Sequence, residues 1–476
     1  MLFDDSVHFR AIGQHRAASG ADAKDEPAVH RAARTRRLLL ISYHFPPVGG
    51  AGVQRPVKFV KYLRRFGWEA SVLVAANPSA PLSDESLLRD IPAETHIARA
   101  RTWEPSYSMK AKLARDAGSK ATAPGPRRRL VGALRGATTL ALQPDPQVLW
   151  LPSALRAGSH LLRTIHHDAI LATAPSYSNL LLGALLKRRF GLPLVLDFRD
   201  EWDISQRFLE NARQDAFSCA VQQRMQRYIL RQADAIVCTT KSSAQRLQDR
   251  AREAGSHAAS TCIYNGFDED DIASGPAATD IARPDRDVFR LVYTGTLWNL
   301  TNVEPLVAAI EALDASAPER LAQLELVVVG RRTEQQERLL DRIKKTRCRL
   351  RLDPYCDHSR SIAWMKSADA LCVLLSDVES ACRVVPAKMF EYLSIGKEIL
   401  AIAPDGEAAD IIKAHHAGSH IHPGDVLGIA GWLRERAQNG RRALPNDNAV
   451  EIAQFSRERL CEQLARLLDQ LPMAPP

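Results

Sequence analysis

The chain has 476 residues, 45% of them hydrophobic and 25% charged, enough for two or three soluble globular domains. No run of about 18 apolar residues is present, so a transmembrane helix is not expected. MLFDDSVHFRAIG carries early acids and no apolar stretch, so a secretory signal is not expected either.

The formal net charge of +9 is unevenly spread: residues 101–141 hold nine Lys/Arg against Glu104 and Asp116. That basic insertion reads either as a solvated loop or as a face for an anionic membrane surface or a lipid-phosphate acceptor. No aromatic stacking pattern accompanies it, so nucleic acid is not expected as a partner. The eight cysteines form no CxxC pair, which fits a reducing cytoplasm better than a disulfide framework or a zinc site.

In chain order, residues 1–35 read as a disordered tail. From Arg37 apolar strands alternate with amphipathic helices. RLLLISY predicts a strand, YHFPPVGGAGVQR a glycine loop, and the next residues a helix through Arg65. EASVLVAA (69–76) and THIARAR (95–101) are strands, and residues 152–165 a helix. DAILATAP (168–175), PLVLDFRD (193–200), AIVCTT (235–240) and TCIYNG (261–266) follow as strands, with a long helix around 210–232. SGPAATDIARPDRD (274–287) reads as a linker between a first domain at 36–273 and a second at 288–440, with a C-terminal helix and tail at 441–476. The second domain repeats the alternation: FRLVYTG, LELVVVG, RLRLDPY, ALCVLLS and EILAIAP are its strands. Two doubly wound α/β units of the Rossmann-like kind would face each other across a cleft at the C-terminal edges of their parallel sheets, where ligands of such sheets bind.

Chemistry concentrates at those edges. Gly49, Gly50 and Gly52 lie between a strand end and a helix start, where bare backbone can bring N–H groups to a phosphate. Arg55 stands where GxGxxG needs its third glycine, which argues against a dinucleotide cofactor. A tight turn needing positive φ is the plainer reading. Gly295 and Thr296 repeat the pattern in YTGTLWN. In RVVPAKMFEYLSIGK, Pro386 can start a helix and Gly396 stop it. Lys388 falls in the first turn, Glu391 one turn on, and Arg383 in the loop before. The two cations can grip a diphosphate and the carboxylate the vicinal hydroxyls of a ribose; a surface Lys–Glu pair is the alternative. DFRDEW ends a strand with Asp197, Arg199 and Asp200, able to position an acceptor hydroxyl and take its proton, or else to pair internally and order the loop. Asp200 is the catalytic candidate among them, with His44 after the first strand ranked below it. Ser176, in ATAPSYSNL, is placed with the acceptor contacts. His358, in DPYCDHSRSI, is left out of the site.

Four stretches, in order, resemble the GT-B-fold glycosyltransferases, specifically the family 4-like retaining enzymes of bacterial polysaccharide and glycolipid assembly. They are SYHFPPVGGAGVQR, VLDFRDEW, IYNGFD and PAKMFEYLSIGKEILA, and the resemblance spans residues 37 to about 440. It implies GT-B architecture and transfer of a sugar from a nucleoside-diphosphate donor to a saccharide or lipid-linked acceptor. Configuration would be retained, without a metal or cofactor, in the cytoplasm, either free or peripheral at the inner face of the plasma membrane. Glu391 would hold the ribose, Lys388 and Arg383 the pyrophosphate beside Gly295 and Thr296, and Gly49, Gly50 and Gly52 would close over the sugar phosphate. Two departures stand out. Arg383 occupies the position, eight before Glu391, where many relatives carry an acid, so that contact is missing or moves to Glu379. TGTLWNLTN lacks the Arg and Lys that many relatives place there. A nucleotide-sugar 2-epimerase of the same fold and a catalytically silent adaptor are the competing readings.

Overall fold

A computed structural model of the protein describes residues 35–80, 82–105, 109, 142–203, 216–283, 285, 287–444 and 449–472. The tail at 1–34, most of the basic insertion and the first turns of the helix expected at 210–232 lie outside the described residues.

The first domain runs β1 (Arg36–Ile41), α1 (Ala51–Leu63), β2 (Trp68–Ala75), β3 (Ile97–Ala100), α2 (Leu151–Thr164), β4 (Ala169–Ala174), α3 (Tyr177–Phe190), β5 (Leu194–Phe198), α4 (Ala216–Gln232), β6 (Ala235–Cys238), α5 (Lys241–Glu253) and β7 (Ala259–Cys262). Its sheet is parallel throughout, in the order β3-β2-β1-β4-β5-β6-β7. The apolar runs Leu38–Ile41, Ala169–Ala172 and Leu194–Leu196 of β1, β4 and β5 fit a sheet with helices on both faces: Leu39 and Ile41 pack on one side and Leu38 and Leu40 on the other.

α6 (Glu269–Ser274) leads to the second domain: β8 (Phe289–Thr294), α7 (Glu304–Ser316), β9 (Leu324–Val329), α8 (Glu334–Ile343), β10 (Arg349–Asp353), α9 (His358–Ser367), β11 (Ala370–Leu374), α10 (Ala387–Ile395), β12 (Glu398–Ile402), α11 (Glu407–Ala414), β13 (Gly418–Ile421) and α12 (Val426–Asn439). Its sheet is again parallel, in the order β10-β9-β8-β11-β12-β13. The chain then returns through α13 (Arg457–Asp469) to the first domain, where Leu460 and Leu464 join the core beneath α1. The Trp68 indole donates to Asp469 at 2.8 Å.

Strand order reverses between β1 and β4 in one sheet and between β8 and β11 in the other. The loops after these four strands therefore border a crevice in each domain, and the glycine loop follows β1 while Gly295 and Thr296 follow β8. Several expected strands run past the observed ones, as THIARAR, PLVLDFRD, AIVCTT and TCIYNG do. β7 ends at Cys262, and farther on Gly266 turns at φ +68°, where an added Cβ would lie 2.3 Å from Phe455 O.

Candidate functional site

The glycine loop serves three separate demands. Gly50 caps α1 at φ +108°, a conformation L side chains avoid. A Cβ on Gly49 would lie 2.6 Å from the Tyr355 hydroxyl of the second domain, and one on Gly52 2.9 Å from Arg199 Nη1. Arg55, the residue that breaks the dinucleotide pattern, is buried and carries its guanidinium to Asp197 at 2.9 Å and to Tyr264 O at 2.7 Å.

Opposite the loop, Pro386 caps α10, and Gly396 ends it in the left-handed conformation. Lys388 and Glu391 both open on a chamber of about 340 Å³ that Gly50 and Asp84 line from the first domain. Lys388 Nζ donates to Thr294 O at 2.8 Å and sits 3.3 Å above the centre of the Tyr293 ring. Burial pushes its ammonium down to about 7. A cation held there with a depressed proton affinity is suited to receive an anion, which restores the charge burial disfavours. Gly295 lies directly beneath it: a Cβ there would meet Nζ at 3.3 Å. Thr296 is exposed at the chamber wall, its carbonyl taking hydrogen bonds from Tyr293 and Thr301. Glu391 Oε1 is 2.7 Å from His358 Nε2. Burial opposes the imidazolium, but Glu391 and Asp271 outweigh it and raise His358 above the ordinary histidine value.

A second chamber, about 210 Å³, shares Pro386 and Ala387 with the first and holds Gly52, Arg199, Asp200 and Arg383. Asp200 stands open to it; removal from bulk water raises its carboxyl, with Arg199 pulling the other way. Arg199 is fixed by Ala174 O at 3.0 Å and by Pro175 O. Arg383 pairs with the buried Glu201 of the first domain at 2.8 and 3.1 Å. The expectation that Arg383 and Lys388 grip one diphosphate together is thus not met in this conformation: they open on different chambers, because Glu201 holds Arg383 on the far side of Pro386.

The sequence of residues 49–259 matches the glycosyl transferase 4-like domain. Solved structures match along nearly the whole chain. Sucrose-phosphate synthase from Thermosynechococcus elongatus superposes at TM-score 0.58 with 15% identity, covering 91% of this chain and 98% of that one. Anabaena HepE, in complex with UDP and glucose, superposes at 0.57 with 18% identity, covering 92% and 100%. A Listeria monocytogenes protein described as a UDP-N-acetylglucosamine 2-epimerase superposes at 0.50 with 12% identity, covering 90% and 94%. Residues 49–259 are a glycosyl transferase 4-like domain, and the chain as a whole has the GT-B fold. At such identities the structures speak for the fold alone. No curated protein matches the sequence.

In this GT-B protein four of the site residues expected from sequence line neither chamber, Gly49 among them, packed against Tyr355. Asp197 is wholly buried and accepts from Arg55 and from Thr173 Oγ1 at 2.7 Å, so it orders the loop and is out of an acceptor's reach. The internal pair anticipated for DFRDEW exists, but with Arg55 instead of Arg199. Ser176 is buried at the N-cap of α3. His44 is half-buried with its ring edge-on to Tyr43 at 4.8 Å. Glu379 is also absent from the walls of both chambers.

Sequence reasoning missed His358, Tyr355, Asp84 and Glu201 at these two chambers. Glu201 sat in plain view beside Asp200, and an unexpected cation at 383 was the signal for an acid facing it. Among the described residues, Asp90, Asp268 and Asp271 are spaced to hold a metal ion. The Lys58 ammonium already stands among them, at 2.6, 2.7 and 2.7 Å. Burial opposes the charge of Asp268, yet Lys58 and Lys61 hold it down at about 2. Among the described residues no helix is long and apolar enough to cross a membrane.

Proposed function

We propose that the protein transfers a sugar from a nucleoside-diphosphate donor to a saccharide or lipid-linked acceptor, retaining anomeric configuration and using no metal. The observation that carries this reading is the pairing of Lys388 and Glu391, one helical turn apart on α10, in a single chamber faced by the glycine loop of the other domain. In this reading the diphosphate lies on Lys388 and the Gly295–Thr296 turn, and Glu391 takes the ribose hydroxyls. The acceptor enters through the second chamber. Its oxygen bonds to the anomeric carbon on the same face from which the diphosphate departs as the carbon–oxygen bond to the diphosphate breaks, so that configuration is retained. Asp200 receives the acceptor's proton, and Lys388 with the loop N–H groups stabilises the charge of the departing diphosphate. The basic block at 101–141, mostly outside the described residues, is the segment that would meet an anionic membrane surface.

A nucleotide-sugar 2-epimerase is the second reading, supported by the fold shared with the Listeria protein. The test is a melting-temperature screen with UDP, GDP, dTDP and ADP, followed by incubation of the matching nucleotide sugar with and without acceptor mixtures. Stabilisation by a nucleotide that is lost in Lys388→Ala, with sugar release only when acceptor is present, supports transfer. Conversion of the nucleotide sugar without acceptor supports epimerisation, and no stabilisation by any nucleotide points to a silent adaptor.

A further inference from the structure

Glu391 is tied at one oxygen to His358, and His358 is held from several sides. Its backbone N–H points at Asp84 Oδ2, 3.3 Å away, and its Nδ1 is 3.6 Å from Asp271 Oδ2. Asp271 lies 2.7 Å from Lys58 on α1. The imidazole is fixed at the first residue of α9 by the Asp357 cap, whose carboxylate accepts from Arg360 N at 2.8 Å. Glu391 and His358 belong to the second domain, Asp84, Asp271 and Lys58 to the first domain and the segment leaving it. A glutamate side chain has three rotatable bonds and loses much freedom when ordered, so a rigid partner on one oxygen leaves the other pre-aimed for a ligand.

We propose that His358 is the positioning residue for Glu391. It fixes the carboxylate that grips the vicinal hydroxyls of the donor's ribose, and through Asp271 and Lys58 it references that carboxylate to the first domain. The inference rests on the donor-site reading above and adds the residue that makes it selective for the ribose.

The experiment is calorimetric titration of wild type, His358→Asn, His358→Gln and Glu391→Ala with UDP, GDP and ADP and with their 2′,3′-dideoxy counterparts. Gln extends a donor as far as Nε2 does, whereas Asn falls short of Glu391. Wild type is expected to prefer the ribonucleotide by about tenfold, the size of a hydrogen bond to a charged group. His358→Asn and Glu391→Ala lose that preference, and His358→Gln keeps it. An undiminished preference in His358→Asn overturns the inference while leaving the donor site intact. Failure of wild type to bind any of the nucleotides overturns the donor-site reading and this inference with it. Should His358→Asn not fold, Asp271→Asn carries the test, since it loosens the imidazole from its far side; an unchanged ribose preference there also overturns the proposal.

Discussion

Arg383 of the second domain and Glu201 of the first form a two-pronged pair across the cleft, Nε to Oε1 at 2.8 Å and Nη2 to Oε2 at 3.1 Å. Glu201 also accepts from Ser243 Oγ at 2.7 Å, and the Arg383 carbonyl takes a hydrogen bond from Thr240 at 3.0 Å. An acid at 383 would here face Glu201 with like charge. Arg383→Ala is expected to destabilise the fold by about 2 kcal/mol, because Glu201, only 4% exposed, then keeps only Ser243 and the longer 3.4 Å contact of Arg246. In a double-mutant cycle with Glu201→Gln the coupling should be about 1–2 kcal/mol by chemical denaturation. Additive effects would mean that the pair does not hold the domains together.

Lys388 gives a pH signature. Burial holds its ammonium down at about 7, so at pH 8 the free protein carries it mostly neutral. A bound diphosphate favours the charged form and raises that value, so binding at pH 8 must take up a proton. The enthalpy of UDP binding is therefore expected to vary with the ionisation enthalpy of the buffer, and affinity to fall as pH rises above about 7. Lys388→Met should abolish the proton uptake and weaken binding by about tenfold or more. Calorimetry in two buffers checks both.

The layout of the two sheets was legible in the sequence because runs such as Leu38–Ile41 and Leu194–Leu196 are apolar on both faces, which only a doubly covered parallel strand requires. Lys388 and Glu391 were legible because helical spacing alone places them on one face. What sequence could not supply were partners chosen by tertiary packing. Arg55 was visible only as the residue that spoils a glycine pattern, and its bond to Asp197 crosses 142 residues. Arg383 and Glu201 are 182 apart, and His358 meets Glu391 from a neighbouring helix. In each case local pattern gave the charge and the fold chose what neutralised it.

Two glycines of the loop, Gly49 and Gly50, should fail differently. Gly50→Ala places a Cβ at ordinary contact distance, 3.8 Å from Leu82 Cδ1, but at φ +108°, so it is expected to cost about 1–2 kcal/mol from backbone strain. Gly49→Ala instead drives a methyl to within 2.6 Å of the Tyr355 hydroxyl. Its loss of stability and of nucleotide binding should be largely relieved by Tyr355→Phe, which does nothing for Gly50→Ala. Melting temperatures of the two single and two double variants separate strain from collision.

Asp197 and Asp200, three residues apart, should divide cleanly between stability and transfer. Asp197 is wholly buried against Arg55, so Asp197→Ala strands a buried guanidinium and is expected to destabilise the protein by about 3–5 kcal/mol. Replacing both by apolar residues, Asp197→Leu with Arg55→Met, should recover much of that loss, since no unpaired charge then remains buried. Asp200 faces the second chamber and makes no comparable pair. Asp200→Asn is expected to leave the melting temperature nearly unchanged and to lower the rate of sugar transfer by about 10²–10⁴, the usual contribution of a general base. Because its carboxyl is raised by its surroundings, transfer in wild type should climb with pH as Asp200 ionises, above the ordinary carboxylate range, and that limb should vanish in Asp200→Asn. Wild-type turnover in Asp200→Asn would assign the proton to the departing diphosphate instead.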